Sequence, residues 1–349
     1  MVLPDTENPE HTSIAVAVSG GGDSLMALRL LARQGRAAFA LHARLVQPAD
    51  PDLEMQLAQI CHGLGLELQI LDLRHSFQER IVQPFVQSYL QGETPNPCAW
   101  CNVRIKFGLL LQKARELGAD SLATGHYARR QAGLIRRGLD SAKEQSYFLA
   151  LLSRQQVARA CLPLGQLTKQ QVNASLREQG LVPPAGGESQ EICFVPDNDY
   201  RGFLASQGAE LPGPGRILDT SGKLLGWHQG LYRYTIGQRR GLGISFREPL
   251  YVLAKDPSRN ELLAGPAHEL SSSGFVLREP NFVLPRRDWP QQVWVQTNYR
   301  ESTVQASLEE AGNQLRVIFR QERKPATPGQ VAAFYNSEGL LLGGGIIHA

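Results

Sequence analysis

A continuous apolar run, Ile14 to Val18, breaks at Ser19 into Gly20-Gly21-Gly22-Asp23-Ser24, and helix-forming residues resume at once from Leu25 to Ala32. This strand–turn–helix junction constrains the chain more than any other feature. A short strand that is apolar at every position is buried on both faces, the habit of parallel strands covered by helices. Three successive glycines let the backbone bend tightly and turn its N–H groups towards an anion. The helix N-terminus adds partial positive charge, and the hydroxyls of Ser19 and Ser24 add donors. The junction lacks the lysine of a P-loop and the spacing of a dinucleotide fingerprint. Asp23 is out of place against bare phosphate, but its carboxylate makes sense if it holds Mg²⁺ bridging the phosphates. A merely structural glycine turn is the plainer alternative; the strand context and the flanking Ser and Asp favour phosphate.

The following residues repeat the βα alternation. Phe39 to Leu41 and Leu66 to Leu73 read as strands, Asp52 to Leu64 as a helix stopped by Gly65, and Phe77 to Leu90 and Ile105 to Leu117 as helices. Ser121 to Thr124 is a further strand, and Thr168 with Gln171 forms a capping box for a helix running to Gln179. Such alternation implies a doubly wound parallel sheet, with its ligand at the carboxyl ends of the strands. Composition changes near Leu211, where Gly, Pro and Asp-Thr-Ser-Gly turn signals begin to separate short alternating segments. Phe275 to Leu284, Val293 to Thr297, Thr303 to Leu308, Leu315 to Phe319 and Gln330 to Tyr335 suggest small β domains or barrels. With 349 residues, two or three domains are expected. No apolar run is long enough to span a bilayer and no signal peptide is visible at the start, so the chain reads as cytoplasmic, with no membrane partner. The net charge of +3 permits a polyanionic partner without demanding one.

Five cysteines, an odd number in a long chain, argue against a disulfide framework. Cys61 and Cys161 sit in apolar surroundings and read as small buried hydrophobes. Cys98 and Cys101 form a C-x-x-C after Thr94-Pro95-Asn96-Pro97, between two helical segments. Cys101 falls close to a helix start near Arg104 and Lys106, where a thiol is expected to ionise more easily. Cys193 lies in the polar loop GGESQEICFVP, from which it could swing towards a partner thiol. A structural zinc site would find only three sulfurs here, so chemistry at sulfur is favoured over a packed or zinc-held loop.

SGGGDS after a first strand resembles the pyrophosphate loop of enzymes that split ATP into AMP and pyrophosphate, a group including GMP and NAD synthetases, argininosuccinate synthetase and several tRNA-modifying enzymes. Taken with TPNPCAWCN-x-x-IKF, SLATGHYAR, SYFLALL, EICFVP, HQGLYRYTIGQRRGLGI and GGGIIHA, the chain resembles the MnmA/TrmU family of tRNA-uridine 2-sulfurtransferases from Ile14 to Ile347. The resemblance implies an α/β fold. An N-terminal adenine-nucleotide α-hydrolase-like domain with a doubly wound parallel sheet would take residues 1–207, a small central β-rich domain 208–274 and a C-terminal β-barrel 275–349. It further implies that Ala17, Val18, Ser19, Gly20, Gly21, Gly22, Asp23 and Ser24 hold the phosphates of ATP, with Ala43 and Gly125 near the adenosine. Asn96, Pro97 and Cys98 would meet the target base. Cys101 would be the catalytic cysteine and Cys193 the carrier of the incoming persulfide. Lys143, Glu144 and Gln145, with Asn298 and Tyr299 in the barrel, match tRNA-contacting stretches.

The activity implied is thiolation of the wobble uridine of tRNAs for Lys, Glu and Gln, with ATP adenylating the C2 oxygen and sulfur displacing AMP. The implied partners are tRNA and a sulfur donor: a cysteine desulfurase, a relay protein or sulfide. Arg239-Arg240, Arg286-Arg287 and Arg300 are candidate phosphate contacts on the RNA. Two departures from the family pattern stand out. Many relatives carry Asp where this chain has Cys98, and LHARLVQPADPD replaces an Asn-Trp-acidic stretch, leaving Ala43 placed by spacing alone. With Cys98, Cys101 and Cys193 the chain has three thiols, enough to hold a [4Fe-4S] cluster with one iron open for the sulfide to be transferred; a persulfide relay with Cys98 as spectator is the other route. Two rival readings remain: another AMP-forming enzyme acting on a small carbonyl substrate, and a non-catalytic RNA-binding protein with a zinc-held loop.

Overall fold

The computed structural model describes residues 13–46, 48, 50–186, 191–311 and 314–348. The first twelve residues, Gln47 and Ala49 of the LHARLVQPADPD stretch, Gly187 to Gln190 of the loop before Cys193, Gly312 and Asn313, and the final Ala349 lie outside the described residues.

Five strands form the first sheet: β1 (Ile14–Ala17), β2 (Ala37–Arg44), β3 (Leu68–Asp72), β4 (Ser121–Ala123) and, after the hairpin introduced below, β7 (Ala160–Cys161). Every pairing is parallel, in the order β3-β2-β1-β4-β7. The chain thus leaves β1 in one direction for β2 and β3 and returns to its other side for β4. The crevice between the carboxyl ends of β1 and β4 is a topological switch point, where open α/β sheets take their ligands. Ile14, Ala15 and Val16 are almost wholly buried, as the uninterrupted apolar run requires. Helix Gly22–Arg33 buries Leu28 and Leu31 against the sheet, and Leu25, Met26 and Ala27 against Val172 and Leu176 of a later helix.

The hairpin of β5 (Ala128–Gln131) and β6 (Leu134–Arg137) was not legible in the sequence. Its turn uses Ala132 (φ 50°) and Gly133 (φ 72°), in place of the Asn-Gly that usually marks such a turn. Its strands are rich in arginine, and its partner is remote: β6 pairs with the last strand of the chain.

The second sheet comprises β8 (Gly215–Leu218), β9 (Leu224–His228), β10 (Leu250–Asp256) and β11 (Glu261–Pro266), in the order β10-β11-β8-β9. The third contains β12 (Ser272–Phe282), β13 (Val293–Gln296), β14 (Val304–Ala311), β15 (Gln314–Arg323), β16 (Val331–Tyr335) and β17 (Leu340–His348). These six run β12-β15-β14-β13-β16-β17, and an additional β12–β17 pairing closes the barrel, removing its open edges. GGGIIHA lies mostly in β17, where Cβ atoms on Gly343 and Gly344 would collide with neighbouring backbone, so strands and Ala150 approach closely there. One core joins the first domain to the barrel: Phe85, Trp100, Ile105 and Tyr147 pack in the same apolar cluster as Val331, Tyr335 and Ile346. Among the described residues no helix is long and apolar enough to cross a membrane.

Candidate active site

The expected phosphate loop sits at the switch point. Gly20 takes φ 86°, a left-handed conformation that favours glycine, and a Cβ there would also press on the mobile end of Leu53, 2.5 Å from its Cδ1. The loop is internally braced. Ser24 Oγ donates to Gly21 O (2.9 Å) and accepts from Ser19 N (3.1 Å), and Gly20 O accepts from Ala185 N (3.1 Å). Gly125, after β4, lies against the start of the helix: its Cβ would stand 2.7 Å from the Asp23 carbonyl carbon.

A cleft of about 730 Å³ opens over this loop, a volume suited to a nucleotide. Ala17, Val18, Ser19, Gly21, Gly22, Asp23 and Ser24 line it, together with Ala43, Gly125, Gln145 and Cys193. Gly20 shapes the turn without lining the cleft. His42, Lys106, His126 and Lys169 also face it, and none of these was singled out from the sequence as a site residue. His42 Nδ1 is 2.9 Å from Val18 O, and His126 Nδ1 is 2.7 Å from Thr124 Oγ1. Burial, with the Lys106 charge adding to it, holds the His126 pKa well below the usual histidine value, so the ring is neutral.

Asp23 is already engaged by protein groups. Its Oδ1 accepts from Tyr127 OH at 2.7 Å and is ion-paired with Lys169 Nζ at 2.7 Å. Neutralised in this way, Asp23 no longer repels a polyphosphate. Asp23 Oδ2 makes no hydrogen bond among the described residues, so the carboxylate retains an oxygen that would suit a Mg²⁺ ion accompanying ATP.

The C-x-x-C opens a helix rather than preceding one. Asn96 caps it, its Oδ1 accepting from Ala99 N (3.2 Å), and Pro97–Cys101 forms the first turns. A nine-residue π-helical stretch, Asn102–Leu110, follows, then helix Leu111–Glu116. The segment before the cap is held by both other domains. Gln330 Nε2 donates to Thr94 O (2.8 Å), Thr94 Oγ1 meets Thr235 Oγ1 (3.3 Å), and Arg278 pairs with Glu93 (3.1 Å). Asn96 and Pro97 are buried by this packing, whereas Cys98 is exposed.

The expectation that Cys101 ionises easily does not hold. It is buried, and desolvation pushes its thiol up to about 12, with the Lys106 charge opposing and the other two thiols adding to the rise. The helix start contributes too little, because Cys101 lies a full turn inside a protein-packed segment. Cys98 and Cys193 open onto solvent, yet protein atoms crowd both sulfurs and raise their pKa values, again against Lys106. Lys106 is therefore the cation common to all three thiols. Among the described residues no group of three or more His, Cys, Asp or Glu is arranged to hold a metal ion. The three thiols are neighbours, not an assembled ligand set. Cys61 and Cys161 are wholly buried, as expected of packed thiols.

Residues 12–197 match the family model described as tRNA methyl transferase HUP domain, 201–266 the tRNA methyl transferase PRC-barrel domain, and 272–347 the aminomethyltransferase beta-barrel domain. The tRNA-specific 2-thiouridylase MnmA of Nitratidesulfovibrio vulgaris (strain DP4) is 47% identical over 340 residues, covering 96% of this chain and 98% of that protein. The protein of the same name from Lawsonia intracellularis is 44% identical over 347 residues, covering 96% and 99%. The chain belongs to the tRNA-specific 2-thiouridylase family. Among solved structures, NH3-dependent NAD synthetase from Campylobacter jejuni aligns over 50% of this chain and 67% of its own, at 20% identity and a TM-score of 0.30, a likeness too slight to carry an argument.

In this 2-thiouridylase family member, the stretches expected to contact tRNA converge. Gln145 is tied to the backbone of Tyr127 in both directions, through N to O and Oε1 to N, each at 3.0 Å. Glu144 accepts from Ser146 N (2.6 Å) and Lys143 N bonds Asp140 O (3.1 Å), so all three residues sit in a braced turn. Three residues beyond Gln145, Phe148 packs against Tyr299 with ring centroids 4.6 Å apart, and Arg300 covers the Tyr299 ring. Asn298 is exposed beside them. Asn102 Nδ2 donates to Phe148 O (3.0 Å), linking this surface to the C-x-x-C helix. Arg286 is instead engaged locally, over Trp289, and Arg239 lines a separate cleft in the central sheet.

Proposed function

We propose that this chain uses ATP to adenylate the C2 oxygen of the wobble uridine in tRNAs of the Lys, Glu and Gln type, and replaces that oxygen with sulfur. The observation that carries the reading is the shared cleft: the phosphate loop and Cys193 face one space, and the buried Cys101 thiol is near enough to Cys193 to feel its charge. The family models are described as those of a methyl transferase and the relatives as 2-thiouridylases; an ATP loop beside three thiols agrees with the second.

The loop N–H groups and the helix N-terminus bind the phosphates and stabilise the departing pyrophosphate, while Ala43 and Gly125 flank the nucleoside. Mg²⁺ held by Asp23 would neutralise charge on the phosphates. Asn96 and Pro97 fix the turn that presents Cys98 to the base. Cys101 attacks the Cys193 persulfide, forming a Cys101–Cys193 disulfide and releasing sulfide. The sulfide adds at the adenylated C2, AMP leaves, and an external dithiol, itself oxidised to a disulfide, returns Cys101 and Cys193 to thiols. Lys143, Glu144, Gln145, Asn298 and Tyr299 would hold the anticodon arm with the target base splayed from its stack. tRNA and a sulfur donor are the partners, and the cytoplasm is the expected compartment.

Incubation with ATP, tRNA and a persulfide donor, followed by mass spectrometry of the tRNA nucleosides, tests this directly. AMP released without tRNA would favour a small carbonyl substrate, and tRNA binding without ATP consumption a binding protein. A cluster on Cys98, Cys101 and Cys193 is the second route for sulfur, favoured only by the proximity of the three thiols. Iron and sulfide analysis of anaerobically purified protein, with Cys98→Ala as comparison, decides between the routes.

A further inference from the structure

The loop after β1 has no lysine of its own, yet the fold brings one to it. Lys169 is the first residue of helix Lys169–Glu178, whose start is fixed by reciprocal bonds between Thr168 and Gln171 and by Lys169 N donating to Asp140 Oδ2 at 2.8 Å. Val172 and Leu176 of that helix share a buried apolar cluster with Leu25, Met26 and Ala27 of the loop's own helix. The position of Lys169 is therefore set by core packing. Its side chain is only 15% exposed, lines the same cleft as Ser19 and Ser24, and reaches Asp23 Oδ1 at 2.7 Å.

We propose that Lys169 is the phosphate-gripping lysine of this site, passing from Asp23 to the β- and γ-phosphates of bound ATP and remaining with pyrophosphate as it leaves. This deepens the ATP reading above and rests on it. An ammonium on a flexible stem is a mobile point charge suited to following phosphate oxygens. A carboxylate alone inside an anion cradle repels its ligand, and the ion pair with Lys169 offsets the Asp23 charge. The competing account is an ion pair that only ties two helices together.

The test measures binding of Mg-ATP, Mg-pyrophosphate and AMP to the tRNA-free full-length protein by calorimetry. In Lys169→Met, ATP and pyrophosphate weaken by about 10- to 100-fold, the worth of a charged hydrogen bond, while AMP changes by less than about twofold. Lys169→Arg recovers part of the loss. Repeating Lys169→Met in the Asp23→Asn background, where no carboxylate is left unpaired, still costs a similar factor. The proposal is overturned if Lys169→Met binds ATP and pyrophosphate like the parent, if all three ligands weaken equally, or if the cost vanishes in the Asp23→Asn background. A parent protein that binds none of the three overturns the ATP reading itself.

Discussion

Gly125→Ala adds one methyl group where the structure has no room for it. The new Cβ would stand 2.7 Å from the Asp23 carbonyl carbon, 2.9 Å from its oxygen and 2.9 Å from Ser24 N. Carbon atoms in favourable contact sit about 3.5–4.0 Å apart, so the deficit is roughly 1 Å. All three obstructing atoms are backbone, and no side chain can swing aside. The loop is also braced from within, through Ser24 Oγ to Gly21 O and Ser19 N. Relief comes from pushing the β4 end and the phosphate loop apart. Overpacking of this kind costs about 1–3 kcal/mol of stability. A misplacement approaching 1 Å in a positioning loop costs on the order of 100-fold in rate. Urea unfolding and ATP calorimetry on the same preparation measure both effects. Gly63→Ala is the control: the same methyl in a helix, with nothing within 4 Å, is expected to be neutral or stabilising by up to about 1 kcal/mol. A Gly125→Ala protein with parental urea midpoint and parental ATP affinity would refute the reasoning.

Asp23→Ala abolishes thiolation and lowers stability by about 1–3 kcal/mol, because Lys169 and the Tyr127 hydroxyl lose their shared acceptor; undiminished AMP formation with tRNA present would contradict it. Cys101→Ser and Cys193→Ser each lose essentially all turnover and the double variant is scarcely worse, whereas Cys61→Ala and Cys161→Ala, at wholly buried positions, retain it; nucleoside mass spectrometry reads all five. Alkylation of Cys101 in the tRNA-free protein rises about tenfold per pH unit from pH 7 to pH 10, since a thiol whose pKa is raised to about 12 is still gaining thiolate throughout that window. A rate that levels off below about pH 9, as for an ordinary thiol, would count against the burial argument.

Four strands of the first sheet were readable from short apolar runs or alternation, signals that depend on neighbours in sequence, whereas the two-residue β7 was too short to leave one. Cys61 and Cys161 were readable for the same reason, each lying on a local apolar pattern. The β5–β6 hairpin was not, since its turn lacks the usual residues and its strands are justified only by β17, some two hundred positions away. Lys169 and Tyr127 escaped notice because their partner, Asp23, is distant in sequence and meets them only through the fold. The misjudged acidity of Cys101 has a different origin. Helix start and nearby basic residues are visible in sequence, but desolvation is not, and here desolvation is the larger effect.

The π-helical stretch explains why Lys106, rather than a residue nearer in sequence, faces the thiols. α-Helical steps of about 100° would turn Lys106 roughly 140° away from Cys101. The wider turn of a π-helix, with its i to i+5 bonding, closes much of that angle. Ile105, fully buried, is then left to the core. The sequence supports this departure in two places. Gln156 Nε2 donates to Val103 O (2.8 Å) and Phe107 O (2.9 Å), capturing carbonyls of the widened backbone, and at position 108 any Cβ would meet Val103 O at 2.9 Å, so only glycine fits there. The result is one cation set against three desolvated thiols. Burial keeps the resting thiols protonated, and the ammonium favours whichever sulfur becomes anionic. In the relay proposed above, that anion is the Cys101 thiolate, formed as its proton passes to the persulfide sulfur that leaves Cys193. Cys101 would then stay inert until a loaded Cys193 is there to receive its attack.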